Sequence, residues 1–156
     1  MKDSRHIKNS SGMAIALAVS VKVPYKKYPS PSGFSYRAVL DVYISLPSKN
    51  SIRSKKLEAV IDSGANDFHS QVGEKVGFDV KSGKSTETYG VDGKASTIYF
   101  YDLYLFAPGG IIQINGAFSY ELPVIAILGM SGFFDHFKIT FDPTSRRFEL
   151  ELVYQA

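Results

Sequence analysis

The 156-residue sequence contains no cysteine and only three histidines. The first absence excludes disulfide bracing and thiolate chemistry and suits a reducing cytoplasm. The histidines, His6, His69 and His136, do not fall at metal-binding spacings, so no metal site and no cofactor are expected. No long helical pattern and no internal repeat occurs. The main apolar stretch, Met13 to Val23, is too short to span a bilayer. Charge is close to balanced, with 18 Lys and Arg against 15 Asp and Glu. Lys22, Lys26, Lys27, Lys55 and Lys56 are scattered and read as a solvated face, so neither nucleic acid nor membrane is an expected partner.

What is present points to β-structure. The chain is long enough for one domain with a real core, and ten Tyr and eleven Phe favour strands. Residues 1–12 are polar and expected to be disordered. Lys2, Arg5, His6 and Lys8 precede Met13 to Val23, an arrangement also found in secretion signals. Yet Met13, Ile15, Leu17, Val19, Val21 and Val23 alternate with smaller or polar residues, and period two marks a strand. Cytoplasmic residence is therefore the expectation, with export or tethering through this run as the alternative.

Tyr25 to Ser35 contains Pro29-Ser30-Pro31-Ser32-Gly33 and reads as a loop. Tyr36 to Leu46 alternates as a strand, Pro47 to Lys56 is a polar connection, and Leu57 to Ile61 is a second strand. Ser70 to Val76 fits a short helix stopped by Gly77. Thr86 to Phe106 reads as a long hairpin turning at Gly90-Val91-Asp92-Gly93, where Asp-Gly suits a tight turn. A further hairpin turns at Pro108-Gly109-Gly110 and continues from Ile111 to Ile114. Val124 to Leu128 reads as a fully buried strand, Ser131 as the cap of a short helix over Gly132 to His136, and Ile139–Phe141 with Phe148–Val153 as a closing hairpin. Many short strands indicate a closed or sandwich-like β-fold.

The candidate chemistry lies in Val60-Ile61-Asp62-Ser63-Gly64-Ala65, followed downstream by Ile127-Leu128-Gly129. An apolar strand delivers a carboxylate to the edge of the core. Ser63 supplies a hydroxyl, and Gly64 permits close backbone approach. A turn aspartate after a strand is the plain alternative. The triplet occurs once, so catalysis by paired aspartates needs a second copy of the chain. Other motifs fail: Gly129-Met130-Ser131-Gly132 lacks the spacing of a nucleophile elbow, and Gly77 with Gly83-Lys84-Ser85 lacks that of a phosphate loop.

These elements, in this order from Tyr36 to Leu152, resemble the retropepsin-like aspartic proteases. The matching pattern is Asp62-Ser63-Gly64-Ala65, a hairpin at Gly90 to Gly93, then Ile127-Leu128-Gly129 leading to Phe133-Phe134-Asp135-His136-Phe137. The resemblance implies an all-β, retropepsin-like closed barrel over residues 36–153 with one or two short helices, preceded by an N-terminal strand and linker at 13–35. It implies a homodimeric endopeptidase acting on peptide or protein substrate, in which Asp62 from each subunit is catalytic. Ser63 would hydrogen-bond across the dimer, and the Gly64 N–H would reach the carboxylate. Ala65 and Asn66 would border substrate, Asn66 replacing an acidic residue common in retroviral members. Gly90, Val91, Asp92 and Gly93 would form a flap over substrate. The terminal strands Met13–Val23 and Phe148–Val153 would build much of the dimer interface. Two alternatives remain: a retropepsin-fold module without activity that dimerises or binds peptides, and an unrelated small β-barrel binding protein.

Overall fold

The computed structural model describes residues 7–8, 14–15, 20–63 and 67–153. In chain order the strands are β1 (Ile7–Lys8), β2 (Ala14–Ile15), β3 (Ser20–Pro24), β4 (Lys26–Ser30), β5 (Gly33–Arg37), β6 (Val39–Ser45), β7 (Leu57–Ile61) and β8 (Asp67–His69). After helix α1 (Ser70–Val76) and a 3-10 turn at Val80–Ser82 come β9 (Lys84–Tyr89), β10 (Ala95–Ala107), β11 (Gly110–Ser119) and β12 (Ala126–Leu128). Helix α2 (Phe133–His136), β13 (Phe137–Asp142) and β14 (Arg147–Leu152) complete the described chain.

Six strands close on themselves in the order β6, β7, β12, β8, β11 and β10, with β10 pairing back onto β6. The β7–β12 and β8–β11 pairs are parallel, and the remaining pairs of the ring are antiparallel. Closure removes the open edges that a small sheet would otherwise expose. Alternation decides what fills the interior. Leu40, Val42 and Ile44 point inward from β6, Ala59 and Ile61 from β7, and Phe68 from β8. Leu103, Leu105, Ile112, Ile114, Phe118, Ala126 and Leu128 meet them. Phe118 sits among three rings, with centroids 5.5 Å from Phe68, 5.3 Å from Phe78 and 5.9 Å from Tyr101. α1 stops at Gly77, whose φ of 98° is the left-handed conformation that glycine adopts without strain.

Several local expectations change. Tyr25 to Ser35 is not an open loop: β4 and β5 pair around a turn at Pro31-Ser32. Composition located the turn, while the flanking segments Lys26–Ser30 and Gly33–Arg37 pair as strands, Phe34 and Tyr36 alternating with Ser35 and Arg37 on the second of them. Lys26 fastens this hairpin to the barrel, donating to Asp41 and to Glu58 at 2.6 Å each. The Val124–Leu128 run is strand only at Ala126–Leu128, and Ile125 is 47% exposed, so one side of it faces outward. Ser131 is not the cap of α2. Gly132 is the N-cap residue, and its N–H donates to Asp135 Oδ2 at 2.8 Å. Within Met13–Val23, β2 and β3 are separate, β2 pairing with β1, while Met13 and residues 16–19 lie outside the described residues.

β14 is the middle strand of a three-stranded sheet, flanked by β13 and by β3. Its backbone edges are therefore both used within the chain. Among the described residues, no helix is long and apolar enough to cross a membrane.

Candidate functional site

β7 is pinned on both sides just where Asp62 emerges. The Ile61 N–H donates to Ala38 O at 3.0 Å, and the Asp62 N–H donates to Leu128 O at 3.0 Å. These bonds join the two sequence motifs physically, the aspartate run against Ile127-Leu128-Gly129. The second motif is held in turn by α2, where the Phe134 N–H donates to Gly129 O at 3.0 Å. Ile61 and Leu128 are buried beneath this junction, while Asp62 and Ser63 are exposed above it. The result is an accessible carboxylate on a fixed backbone at the barrel's end. Gly64, Ala65 and Asn66 lie outside the described residues.

The outer face next to Asp62 follows from strand parity. Val60 pairs with Ile127, and Ile127 pairs with Asp67, so these three form a row across β7, β12 and β8. None of the three belongs to the barrel core. Asp62 stands two residues beyond Val60, which extended backbone places on the same face. Asp67 is half-buried, and burial raises its carboxyl above the ordinary carboxylate value. Among the described residues no hydrogen bond or ion pair holds it.

His69 stands two residues further along the same side of β8. Its N–H donates to Ile125 O at 2.9 Å. Its Nδ1 accepts the Gln71 N–H at 3.3 Å, capping α1. Beside it opens a cavity of about 220 Å³ lined by His69, Gln71, Leu122, Pro123, Val124 and Ile125. The cavity's loop is tied down at Tyr120, whose hydroxyl donates to Glu74 Oε1 at 2.6 Å. That bond, followed by burial, pushes the phenol up to about 12.

Gly90, Val91, Asp92 and Gly93 form the tip of the β9–β10 hairpin. Tyr89 pairs with Ala95, the Gly90 N–H donates to Lys94 O at 3.0 Å, and the Gly93 N–H donates to Gly90 O at 2.9 Å. Asp92 Oδ1 accepts the Lys94 N–H at 3.1 Å, and Gly93 has φ 74°. Every residue of β9 is exposed, as are Val91 and Asp92. The hairpin thus projects from the barrel along β10, whose far end pairs with β6. His136 sits on α2, away from the Asp67–His69 strand in sequence and pairing. Among the described residues, no group of three or more His, Asp or Glu side chains is placed to hold a metal.

Sequence reading singled out neither Asp67 nor the His69 cavity. Three residues make too short an alternation to register as a strand. The signal that was available is polar-apolar-polar, Asp67-Phe68-His69, directly after the Asp62 motif.

No protein-family model and no curated protein matches the sequence. Among solved structures, a retropepsin-like aspartic protease from Rickettsia conorii matches with a TM-score of 0.57 at 18% identity, over 86% of this chain and 98% of that one. Six closed strands, two short helices and this likeness make the fold of the chain a retropepsin-like barrel.

Proposed function

We propose that the protein is a homodimeric aspartic endopeptidase, with Asp62 from each subunit activating a water that attacks a peptide carbonyl. The observation that carries this reading is the placement of Asp62. It is exposed at the barrel end, with its own backbone N–H bonded to the Ile127-Leu128-Gly129 run. A solved structure it resembles is a retropepsin-like aspartic protease, which favours the same chemistry.

One chain supplies one such carboxylate, so a two-fold axis through the site is needed to bring a second beside it. Two carboxyls at that separation share a proton, as in aspartic protease dyads generally. The ionised member takes a proton from water while the protonated member donates to the carbonyl oxygen, and no covalent intermediate forms. Ser63 would link the two loops across the axis. The β9–β10 hairpin would close over substrate and exclude water. Because β14 is enclosed by β13 and β3, a second chain would add through the outer edge of β3 or β13, which no strand covers among the described residues.

The test compares wild type with Asp62→Asn on a diverse peptide library. The substitution is nearly isosteric and removes the base. Cleavage by wild type and its loss in the variant, with fold and dimer retained, is the expected outcome. Equal cleavage by both proteins would exclude the mechanism.

A further inference from the structure

We propose that Asp135 is a positioning residue for Asp62: by capping α2 it fixes the Leu128–Gly129 backbone against which Asp62 is held. Its effect on rate rests on the endopeptidase reading, but the mechanical link is independent of cleavage.

The link is a run of hydrogen bonds. Asp135 Oδ2 accepts the Gly132 N–H at 2.8 Å. Next along the helix, the Phe134 N–H donates to Gly129 O at 3.0 Å and closes the turn that joins α2 to the Ile127-Leu128-Gly129 run. One residue back from Gly129, Leu128 O accepts the Asp62 N–H at 3.0 Å. Leu128 and Gly129 are buried, whereas Asp135 is exposed. A surface carboxylate thus reaches the backbone of Asp62 through three hydrogen bonds and the short covalent stretches between them.

The local chemistry explains why this cap matters. α2 has four residues, a single turn, and a turn that short does not hold itself against the cost of helix nucleation. Its N-cap is Gly132, which has no side chain to accept the free amides at the helix start. The φ of 101° at Gly132 is open to glycine and strained for a capping Ser, Thr or Asp. The acceptor therefore comes from within the helix, as the Asp135 carboxylate, whose charge also suits a helix N-terminus. Met130 and Ser131 are exposed, so packing gives the turn back to Gly129 little other support. The far end of α2 is anchored separately. The Val153 N–H donates to His136 O at 2.8 Å, and buried Phe133 lies 5.0 Å from the Phe137 ring. Losing the cap thus loosens the turn under Asp62 and leaves the helix attached. Two carboxyls sharing a proton depend on a fixed separation, and misplacing a reacting group by about 1 Å can cost about 100-fold in rate.

Two measurements on wild type, Asp135→Ala, Asp135→Ser and Asp135→Asn test the proposal. Asp135→Asn keeps an acceptor oxygen at the same reach, Asp135→Ser offers a shorter one, and Asp135→Ala has none. In the first, peptide cleavage is followed across pH at concentrations that keep the protein dimeric. Asp135→Ala should lower kcat on the order of tenfold with KM changed less than about twofold, a partial form of the displacement effect. It should also narrow the bell of kcat/KM against pH, because two carboxyls split their ionisations less as they move apart. Asp135→Asn should restore both and Asp135→Ser part of each. In the second, amide hydrogen exchange is read at Asp62 and Phe134 without substrate. Both amides should exchange at least about fivefold faster in Asp135→Ala, with β6 and β10 unchanged, and return toward wild type in Asp135→Asn. Should Asp135→Ala not fold, Asp135→Ser against Asp135→Asn gives the same comparison. If wild type cleaves nothing yet these amides respond, the endopeptidase reading fails and the Asp135 link stands. If Asp62 exchange is the same in all four proteins, or kcat and the pH bell are, the proposal is wrong.

Discussion

Phe118→Ala tests whether the barrel is packed around β8 and β11 as described, and hence whether the strand carrying Asp67 and His69 has a rigid support. Phe118 is fully buried, pairs in parallel register with Phe68, and touches the rings of Phe68, Phe78 and Tyr101. Removing a buried phenyl ring loses its transfer energy and leaves a cavity, together about 3–5 kcal/mol. The three ring contacts place this site toward the upper part of that range, since favourable aromatic pairs add about 0.5–1.5 kcal/mol beyond area. At about 2–4 °C per kcal/mol for a chain of this size, Tm falls by roughly 6–20 °C. Phe118→Leu keeps most of the volume and should lose less than half as much. Phe34→Ala is the control: Phe34 is 61% exposed on the β4–β5 hairpin and its loss should cost about 0.5 kcal/mol or less. Urea unfolding with a fitted slope, alongside thermal melts, gives the values. A Phe118→Ala loss below about 1 kcal/mol with an unchanged slope would refute the packing argument, because no fully buried ring in contact with three others goes at so small a cost.

Asp67→Asn should stabilise the protein at neutral pH and not in acid. Burial raises the folded-state carboxyl above its unfolded value, so the native state holds more protons between the two values, and wild-type stability falls as pH rises through that window. Urea midpoints at pH 7 and at about pH 3.5, near the unfolded value, check this; a variant no more stable than wild type at pH 7 would count against it. Cleavage should fall faster than linearly on dilution through the dimer dissociation range, because one chain holds half the proposed catalytic pair. A monomer with constant specific activity at every concentration contradicts that. The Gly90–Gly93 tip should exchange its amide hydrogens fast in the free protein and more slowly when a statine-type transition-state mimic is bound. Unchanged exchange in a saturated complex would mean that this hairpin does not cover substrate.

The all-β class, the Asp62 motif and its partner Ile127-Leu128-Gly129 were legible in the sequence because each is a local pattern. Period-two alternation turns Leu40, Val42 and Ile44 of β6 inward, although the run from Tyr36 to Leu46 that the sequence offered as one strand breaks at Ala38 and leaves Tyr36 exposed on β5. Asp-Gly at 92–93 prescribes a tight turn through its own backbone angles. The hydrogen bond from Asp62 to Leu128 was implied only as an order of motifs, since 65 residues of chain lie between the two positions. Which strands became neighbours was decided by closure of the barrel. That closure set β7 beside β12 in parallel, drew the three residues of β8 between β12 and β11, and so lined up Val60, Ile127 and Asp67 on one face. The same holds at the far end of the chain, where β3 takes the open edge of β14 and removes it as a docking edge. Local sequence fixes which way each side chain points along its own strand. Its lateral neighbours, and with them the burial that raises Asp67 and the bond that orients His69, exist only after distant strands have paired.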